Sequence, residues 1–473
     1  MQTLELTAMT LAETADRIRS KEVSPVELTD AYLRRIEALN PTINAYVLPT
    51  PQRAREDARR AADEIARGDY RGPLHGIPIA LKDLYETAGI RTSGGCRAYE
   101  DNVPAEDCTV ARKLREAGSV LLGKLNTHEL AYGTTTNNHW YGPTRNPWDT
   151  DRIPGGSSGG SGAATIADLA TATMGTDTGG SIRIPAALCG VVGLKPTYGR
   201  VSKAGVMMMS WQLDHAGPLT KTVRDAAIML QAIEGYDPRD PNSVRVGKVD
   251  YSSAFEEQDI SGVTVGVPRE FFFQTLDPEV RSAIEAALVT FQELGAEVRD
   301  VDLPGFGGNI MGTVFDMVRT EAIEYHAPRL ESNPEAFSPE LRNILQNPIS
   351  GTAYVAAQRL MYDYRATVRD ALRGVTVLVV PTTMAPAALI GDAGATVDVD
   401  GTKLPVSIAM AGLTSRFNIA GIPTLSLPCG FSGGGLPIGM SVAGRPFDEW
   451  SVFKVAHAYE QATAWHTRRP QLG

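Results

Sequence analysis

Cysteine is scarce in this chain: four residues in 473, Cys96, Cys108, Cys189 and Cys429, with no CxxC pair. Spacing this wide gives no disulfide framework, and no histidine cluster stands at metal-ligand spacing. No metal or other cofactor is expected, and the thiols are expected to be reduced and mostly buried as small hydrophobes. Long apolar runs are missing as well. The richest, around Val375 to Val380, stops at Pro381, well short of the roughly 18 residues a membrane span needs. An excess of positive charge is also missing: 45 Lys and Arg against 55 Asp and Glu give a net charge of -10, the opposite of a phosphate-binding footprint. The first twenty residues lack a basic start, an apolar core and a small-residue cleavage site, so they read as an amphipathic helix rather than a signal peptide. A soluble cytoplasmic protein without nucleic-acid or membrane partners is the expectation.

What is present is ordinary globular composition, 43% hydrophobic and 21% charged, in a chain long enough to bury a large core. Up to about residue 70 the pattern is helical. Ser24-Pro25-Val26-Glu27 reads as a capping box with proline at the first helical position, opening a helix expected to end near Leu39, before Asn40-Pro41. A charged helix follows Pro51 and stops at Gly68. From Gly76 short apolar runs, such as Ile77 to Leu81 and Ser119 to Leu122, alternate with helical stretches and glycine-rich turns. That alternation predicts an α/β fold: a central mixed, twisted β-sheet covered on both faces by helices. Residues from about 300 to 373 turn helical again, and VTVLVVP and TLSLPCG read as buried strands returning to the sheet. With no repeat, linker or charge block, residues 1–473 are expected to form one domain. Its parts are N-terminal helices (1–70), a core (71–235), a variable helical insert (300–373) and a C-terminal return to the sheet (374–473).

Two glycine-framed serine motifs stand out, GGSSGGSG at Gly155 to Gly162 and GTDTGGSIR at Gly175 to Arg183. Either alone would read as a loop or linker. Together, each just before a stretch able to start a helix, they aim backbone N–H groups into a shared space, an oxyanion-hole arrangement in outline. Other matches fall away. Gly155-Gly156-Ser157-Ser158-Gly159 fits a nucleophile elbow, but Pro154 sits where the preceding strand belongs. Gly118 to Lys124 fits a phosphate loop until Leu125 replaces the Ser or Thr that would hold magnesium, so it reads as a strand. His215, in LDHAGP, is the only one of seven histidines near the glycine-rich core with a plausible catalytic neighbourhood, yet no acid partner is singled out, and a structural role is favoured. Lysine can fill the gap. Lys82 closes the apolar run Gly76 to Leu81, and a lysine buried there is costly unless neutral or paired, whereas a desolvated lysine is a competent serine activator.

At these residues the chain resembles the amidase-signature family. The matching text includes HGIPIALKDLYETAGIRTSGG, NPWDTDRIPGGSSGGSGAA, MGTDTGGSIRIPAALCGVVGLKPTYGRVS and FNIAGIPTLSLPCG, within a resemblance that covers about residues 5 to 235 and 374 to 470. It implies a serine hydrolase with Lys82 as base, Ser157 as bridging serine after a cis peptide bond from Gly156, and Ser181 as nucleophile. The backbone N–H groups of Thr178, Gly179, Gly180 and Ser181 are implied as the oxyanion hole, with Ser158, Asp177 and Arg183 in support. Tyr132, Gly133, Met207 and Trp211 are candidate pocket residues; Tyr132 precedes a run resembling the family's pocket wall, while Met and aromatic clusters are more often core. If they line the cleft, the substrate is a hydrophobic or aryl amide, ester or carbamate. The glutamine-hydrolysing A subunit of an aminoacyl-tRNA amidotransferase shares these motifs, but its pattern between about 330 and 365 has no match here, which favours a stand-alone amidase acting as monomer or homodimer. A non-catalytic binding protein would need a damaged relay, and all three positions are intact. A hydrolase using Ser157 and His215 is the remaining alternative.

Overall fold

A computed structural model describes residues 3–303, 310–391 and 394–472. Its strands, in chain order, are β1 (Tyr46–Pro49), β2 (Pro78–Lys82), β3 (Val120–Leu125), β4 (Asn137–Asn138), β5 (Gly142–Pro143), β6 (Ala172–Asp177), β7 (Val192–Lys195), β8 (His215–Thr220), β9 (Thr264–Val267), β10 (Glu297–Asp300), β11 (Val377–Pro381), β12 (Thr396–Val399), β13 (Thr402–Pro405), β14 (Thr424–Phe431) and β15 (Pro437–Gly444). Eleven of them form one sheet in the order β1-β3-β2-β6-β8-β7-β14-β15-β11-β9-β10. The sheet is mixed: β2 runs parallel to β3 and β6, while β8 runs antiparallel to β6 and β7. Helices flank it, as the alternating sequence texture predicts. Every residue of β6, β8 and β15 is buried, which is why these strands read as continuous apolar or small-residue runs rather than alternating ones.

The N-terminal stretch differs in detail from its sequence reading. It forms two helices, Thr3–Ala8 and Leu11–Arg19, broken where Thr10 caps the second in a reciprocal box with Glu13. The helix opening at Pro25 is capped by Ser24 through the Val26 N–H alone, and it runs past Asn40-Pro41 to Ile43. Proline costs the helix one N–H at position 41, but its fixed φ is helical, so one more turn forms before Asn44 takes the left-handed conformation that ends it. Asn40 then ties this end to β1, donating from Nδ2 to the Tyr46 carbonyl and accepting the Tyr46 N–H. The charged helix, Pro51–Arg67, stops at Gly68 as expected. Of the insert expected to be helical from about 300, residues 300 to 303 are strand end and coil, residues 304–309 lie outside the described residues, and helices Ile310–Ser332 and Gly351–Ala371 follow.

All four cysteines are free and buried, and burial raises the Cys96, Cys108, Cys189 and Cys429 thiols above their ordinary value. The phosphate-loop look-alike is strand β3, and its Lys124 is spent internally, donating to Thr92 Oγ1 (2.7 Å) and Thr87 Oγ1 (3.2 Å) beside Asp83. No described helix is long and apolar enough to cross a membrane. Among the described residues no group of three or more His, Cys, Asp or Glu is placed to hold a metal ion.

Candidate active site

Strand β2 delivers Lys82 to the interior. Leu81 is in register with Met174 of β6, so the next residue on β2 lies alongside Gly175 to Thr176. There Lys82 Nζ donates to Ser157 Oγ at 2.7 Å and to Thr176 Oγ1 at 2.8 Å. The side chain is fully buried. Burial lowers its pKa from 10.5 to about 7, even though Asp214 and Asp177 pull in the other direction, because a desolvated ammonium is disfavoured and neither carboxylate is hydrogen-bonded to it.

Ser157 follows a cis Gly156–Ser157 peptide bond. A Cβ on Gly156 would stand 2.6 Å from the Thr135 nitrogen, a backbone atom that cannot swing aside, so only glycine fits this approach. The Ser157 carbonyl accepts from His128 N–H and Thr127 Oγ1, both at 3.0 Å. Ser158 bridges to β6, its Oγ donating to the Thr176 carbonyl at 3.1 Å, and its N–H donates to the Ser181 carbonyl at 3.2 Å. The two serine motifs are thereby stitched together through backbone. Helix Gly159–Ile166 starts within the first, just after Ser158, and helix Arg183–Cys189 starts at the last residue of the second.

The loop carrying Ser181 is held by a buried charge pair. Arg183 donates twice to Asp177, from Nε (2.9 Å) and Nη2 (2.9 Å), and its remaining N–H groups reach the Thr414 carbonyl and Asn418 Oδ1. Burial by itself would raise the Asp177 pKa, but the Arg183 guanidinium and the Asn418 amide hold it well below the usual carboxylate range. Asp177 also accepts the N–H groups of Gly180 (2.8 Å) and Ile182 (3.1 Å). Of the four amides expected to face an oxyanion, that of Gly180 is therefore already engaged. Those of Thr178, Gly179 and Ser181 have no acceptor among the described residues. Gly180 sits at φ 133°, where any Cβ would overlap Thr414 Oγ1, and that hydroxyl donates to the Gly179 carbonyl at 2.7 Å.

Tyr132 lies at the end of a turn in which Leu130 (φ 46°) and Ala131 (φ 65°) both take left-handed backbone conformations, each costing about 1–3 kcal/mol for a residue with a side chain. The turn is held by the Leu130 N–H on the Gly94 carbonyl and the Ala131 N–H on that of His128. Gly133 packs against the His128 ring. That ring is neutral, lowered to about 4 by burial and by the Lys82 charge. Met207 is buried in the hydrophobic core near Gly94, which Leu130 also approaches, and Trp211 is part-exposed, edge-on to Tyr325. His215 makes no hydrogen bond to Ser157 or Ser181: its Nδ1 lies on the Leu213 carbonyl (2.6 Å) and near that of Asp177 (3.2 Å), and burial followed by the Lys195 charge keeps the ring neutral.

The sequence reading missed four neighbours. Thr176, Thr414 and Asn418 were visible only as parts of longer stretches. Phe315, on helix Ile310–Ser332, stands against Gly179, its Cζ 2.8 Å from where a Cβ would be, and nothing local in its sequence marks it.

A family model described as Amidase matches residues 27–453. The A subunit of the glutamyl-tRNA(Gln) amidotransferase of Geobacter metallireducens is 41% identical over 98% of this chain and 99% of its own length. An amidase of Pseudomonas putida is 42% identical over 99% and 98% respectively. Among solved structures, a chain from a vestigial protein complex that reveals the evolutionary origins of an s-triazine catabolic enzyme superposes with a TM-score of 0.90 at 35% identity, covering 98% of this chain and all of the other.

Proposed function

The chain belongs to the amidase family, and on that premise we propose that it is a serine hydrolase cleaving C–N amide bonds through an acyl-enzyme on Ser181, with Ser157 and Lys82 as the proton relay. The observation that carries this reading is the fully buried Lys82 amine, 2.7 Å from Ser157 Oγ and lowered to about 7. Once neutral, that nitrogen offers a lone pair along the same line. It accepts the Ser157 proton while Ser157 takes the proton of Ser181, whose Oγ attacks the carbonyl carbon. The tetrahedral oxyanion then meets the free N–H groups of Thr178, Gly179 and Ser181, each such donor being worth about 2.7–4 kcal/mol in comparable hydrolases. The relay returns a proton to the leaving nitrogen, and water repeats the attack on the ester. Arg183 and Asp177 act as positioning residues, holding the loop so that these amides stay aimed inward.

For substrate, the reading is a hydrophobic or aryl amide, with esters and carbamates as further acyl donors, because the Phe315 ring lies against the oxyanion loop at Gly179. We take the chain as one domain, with helices Ile310–Ser332 and Gly351–Ala371 as the substrate-facing part of the variable region. A second reading, the glutamine-hydrolysing subunit of an amidotransferase, is favoured by the 41% identity to such a subunit over nearly its whole length. It predicts glutaminase activity that appears only with added partner subunits, whereas a stand-alone amidase hydrolyses anilides by itself. The mechanism is tested by intact-protein mass and peptide mapping after a fluorophosphonate or activated carbamate. Label confined to the Ser181 peptide and lost in Ser181→Ala supports it; label on Ser157, or full activity in Ser181→Ala, overturns it.

A further inference from the structure

Two buried hydrogen-bond donors are left unused by the relay. The hydroxyl of Tyr132 and Nε of Arg319 are both sealed from solvent, and neither has a hydrogen-bond partner among the described residues. Buried donors are rarely left in this state, since an unmade bond costs the full desolvation of the group. Arg319 stands one helical turn beyond Phe315 on the same helix, and residues four apart share a face. The face that presses Phe315 onto Gly179 therefore also presents Arg319 towards the site. The Arg319 charge bears on the Tyr132 phenol, and burial keeps that phenol protonated, so it remains a donor.

The neighbouring carboxylates are already satisfied. Asp214 accepts from Thr178 Oγ1 (2.6 Å), the Met209 N–H (2.8 Å) and the Ser210 N–H (3.1 Å). Glu321 accepts from Ser210 Oγ (2.5 Å) and Tyr354 OH (2.6 Å). Asp316 pairs with Nη2 of Arg319 at 3.0 Å, which fixes the guanidinium while leaving Nε spare. The three acids that bear on the Tyr132 phenol, Asp214, Glu321 and Asp316, each have a donor, and the donors left over at Tyr132 and Arg319 are a neutral O–H and a cation's N–H. Their complement is an anion with two acceptor oxygens. We propose that Tyr132 and Arg319 form a specificity subsite for a carboxylate carried by the amide substrate at a distance from the scissile bond. The inference rests on Ser181 being the nucleophile. It narrows the substrate from any hydrophobic amide to one with an acidic end, for example a dicarboxylic acid monoanilide.

The test is protection of Ser181 from fluorophosphonate labelling by two matched pairs of compounds: glutaric acid monoanilide against valeranilide, with the charge on the acyl side, and 4-butyramidobenzoate against butyranilide, with the charge on the amine side. In the wild type one charged member should protect at a concentration roughly tenfold or more below that of its neutral partner, the size expected of a charge-assisted hydrogen bond. The preference should vanish in Arg319→Gln, shrink in Tyr132→Phe and partly return in Arg319→Lys, with protection by the neutral compounds unchanged as evidence that the fold is intact. No preference for either charged member, or a preference that survives Arg319→Gln, overturns the proposal, as does Arg319→Gln weakening charged and neutral compounds alike. Failure of Ser181 to label in the untreated wild type would instead strike the proposed nucleophile. The same preference, read as equilibrium binding by calorimetry, would then decide the subsite on its own.

Discussion

From Gly155 to Arg183 every residue is buried, and each polar side chain that frames the two serines is tied to a neighbour or to backbone. Along helix Gly351–Ala371, in the part proposed to face substrate, Val355 and Tyr362 are more than half exposed, and on helix Ile310–Ser332 an arginine nitrogen stays unpaired. The first region is over-determined and the second under-determined. Catalysis needs groups held to a fraction of an ångström, which only dense packing and closed hydrogen-bond networks supply. Recognition needs surfaces that can change without disturbing that network, and loosely committed helices allow it.

The largest effect should come from the dense region. Ser181→Ala should cut kcat/KM by about 10⁴ to 10⁶ while circular dichroism and melting temperature stay close to wild type, whereas truncating Val355 or Tyr362 should leave kcat/KM nearly unchanged. An equal loss from both regions would break the contrast.

The next effect concerns stability. Arg183→Ala leaves Asp177 charged and unpaired in the interior, and a broken buried pair costs about 3–5 kcal/mol; denaturant unfolding should show it. Arg342→Ala removes the exposed pair with Glu335 on the helical side and should not move the unfolding midpoint.

Lys82→Met sharpens the comparison, because the dense region holds its chemistry at the expense of stability. A lysine that titrates near 7 when folded and near 10.5 when unfolded binds fewer protons in the folded state between those values. Its destabilisation is therefore absent above about pH 10.5, grows as pH falls, and is complete below about 7. The methionine variant should lose hydrolysis by about 10² to 10⁴ yet melt higher than wild type at pH 7, with the gain shrinking as pH rises towards 10. The smallest effect lies where the two regions touch: Phe315→Leu should shift the preference between anilides and matched alkyl amides by roughly tenfold or less, with the Ser181 labelling rate unchanged.

What the sequence made legible follows the same divide. The proposed trio Lys82, Ser157 and Ser181 could be picked out because the positions proposed for it depend on backbone: a strand end and two glycine-framed turns. The mixed sheet was legible for a similar reason, since fully buried strands such as Val377–Pro381 must read as apolar runs. Arg319 and Phe315 were not, because helical periodicity tells which residues share a face and says nothing of which distant loop that face meets. The engaged Gly180 amide was hidden too, since it depends on the Asp177 carboxylate folding back onto its own loop. At the N-terminus the break before Leu11 carries a readable Thr10 to Glu13 capping box, passed over because apolar periodicity continues across it.

The proposed relay requires a lysine that is neutral at working pH inside the dense region, and the pH dependence of the Ser181 labelling rate reads this directly. Below the Lys82 pKa the ammonium has no lone pair and cannot relieve Ser157 of its proton. Labelling should therefore be slow in acid, rise through a single midpoint close to 7 and reach a plateau above it, with the rise absent in Lys82→Met. A midpoint near 10.5, or the same profile surviving in Lys82→Met, would contradict the lysine relay.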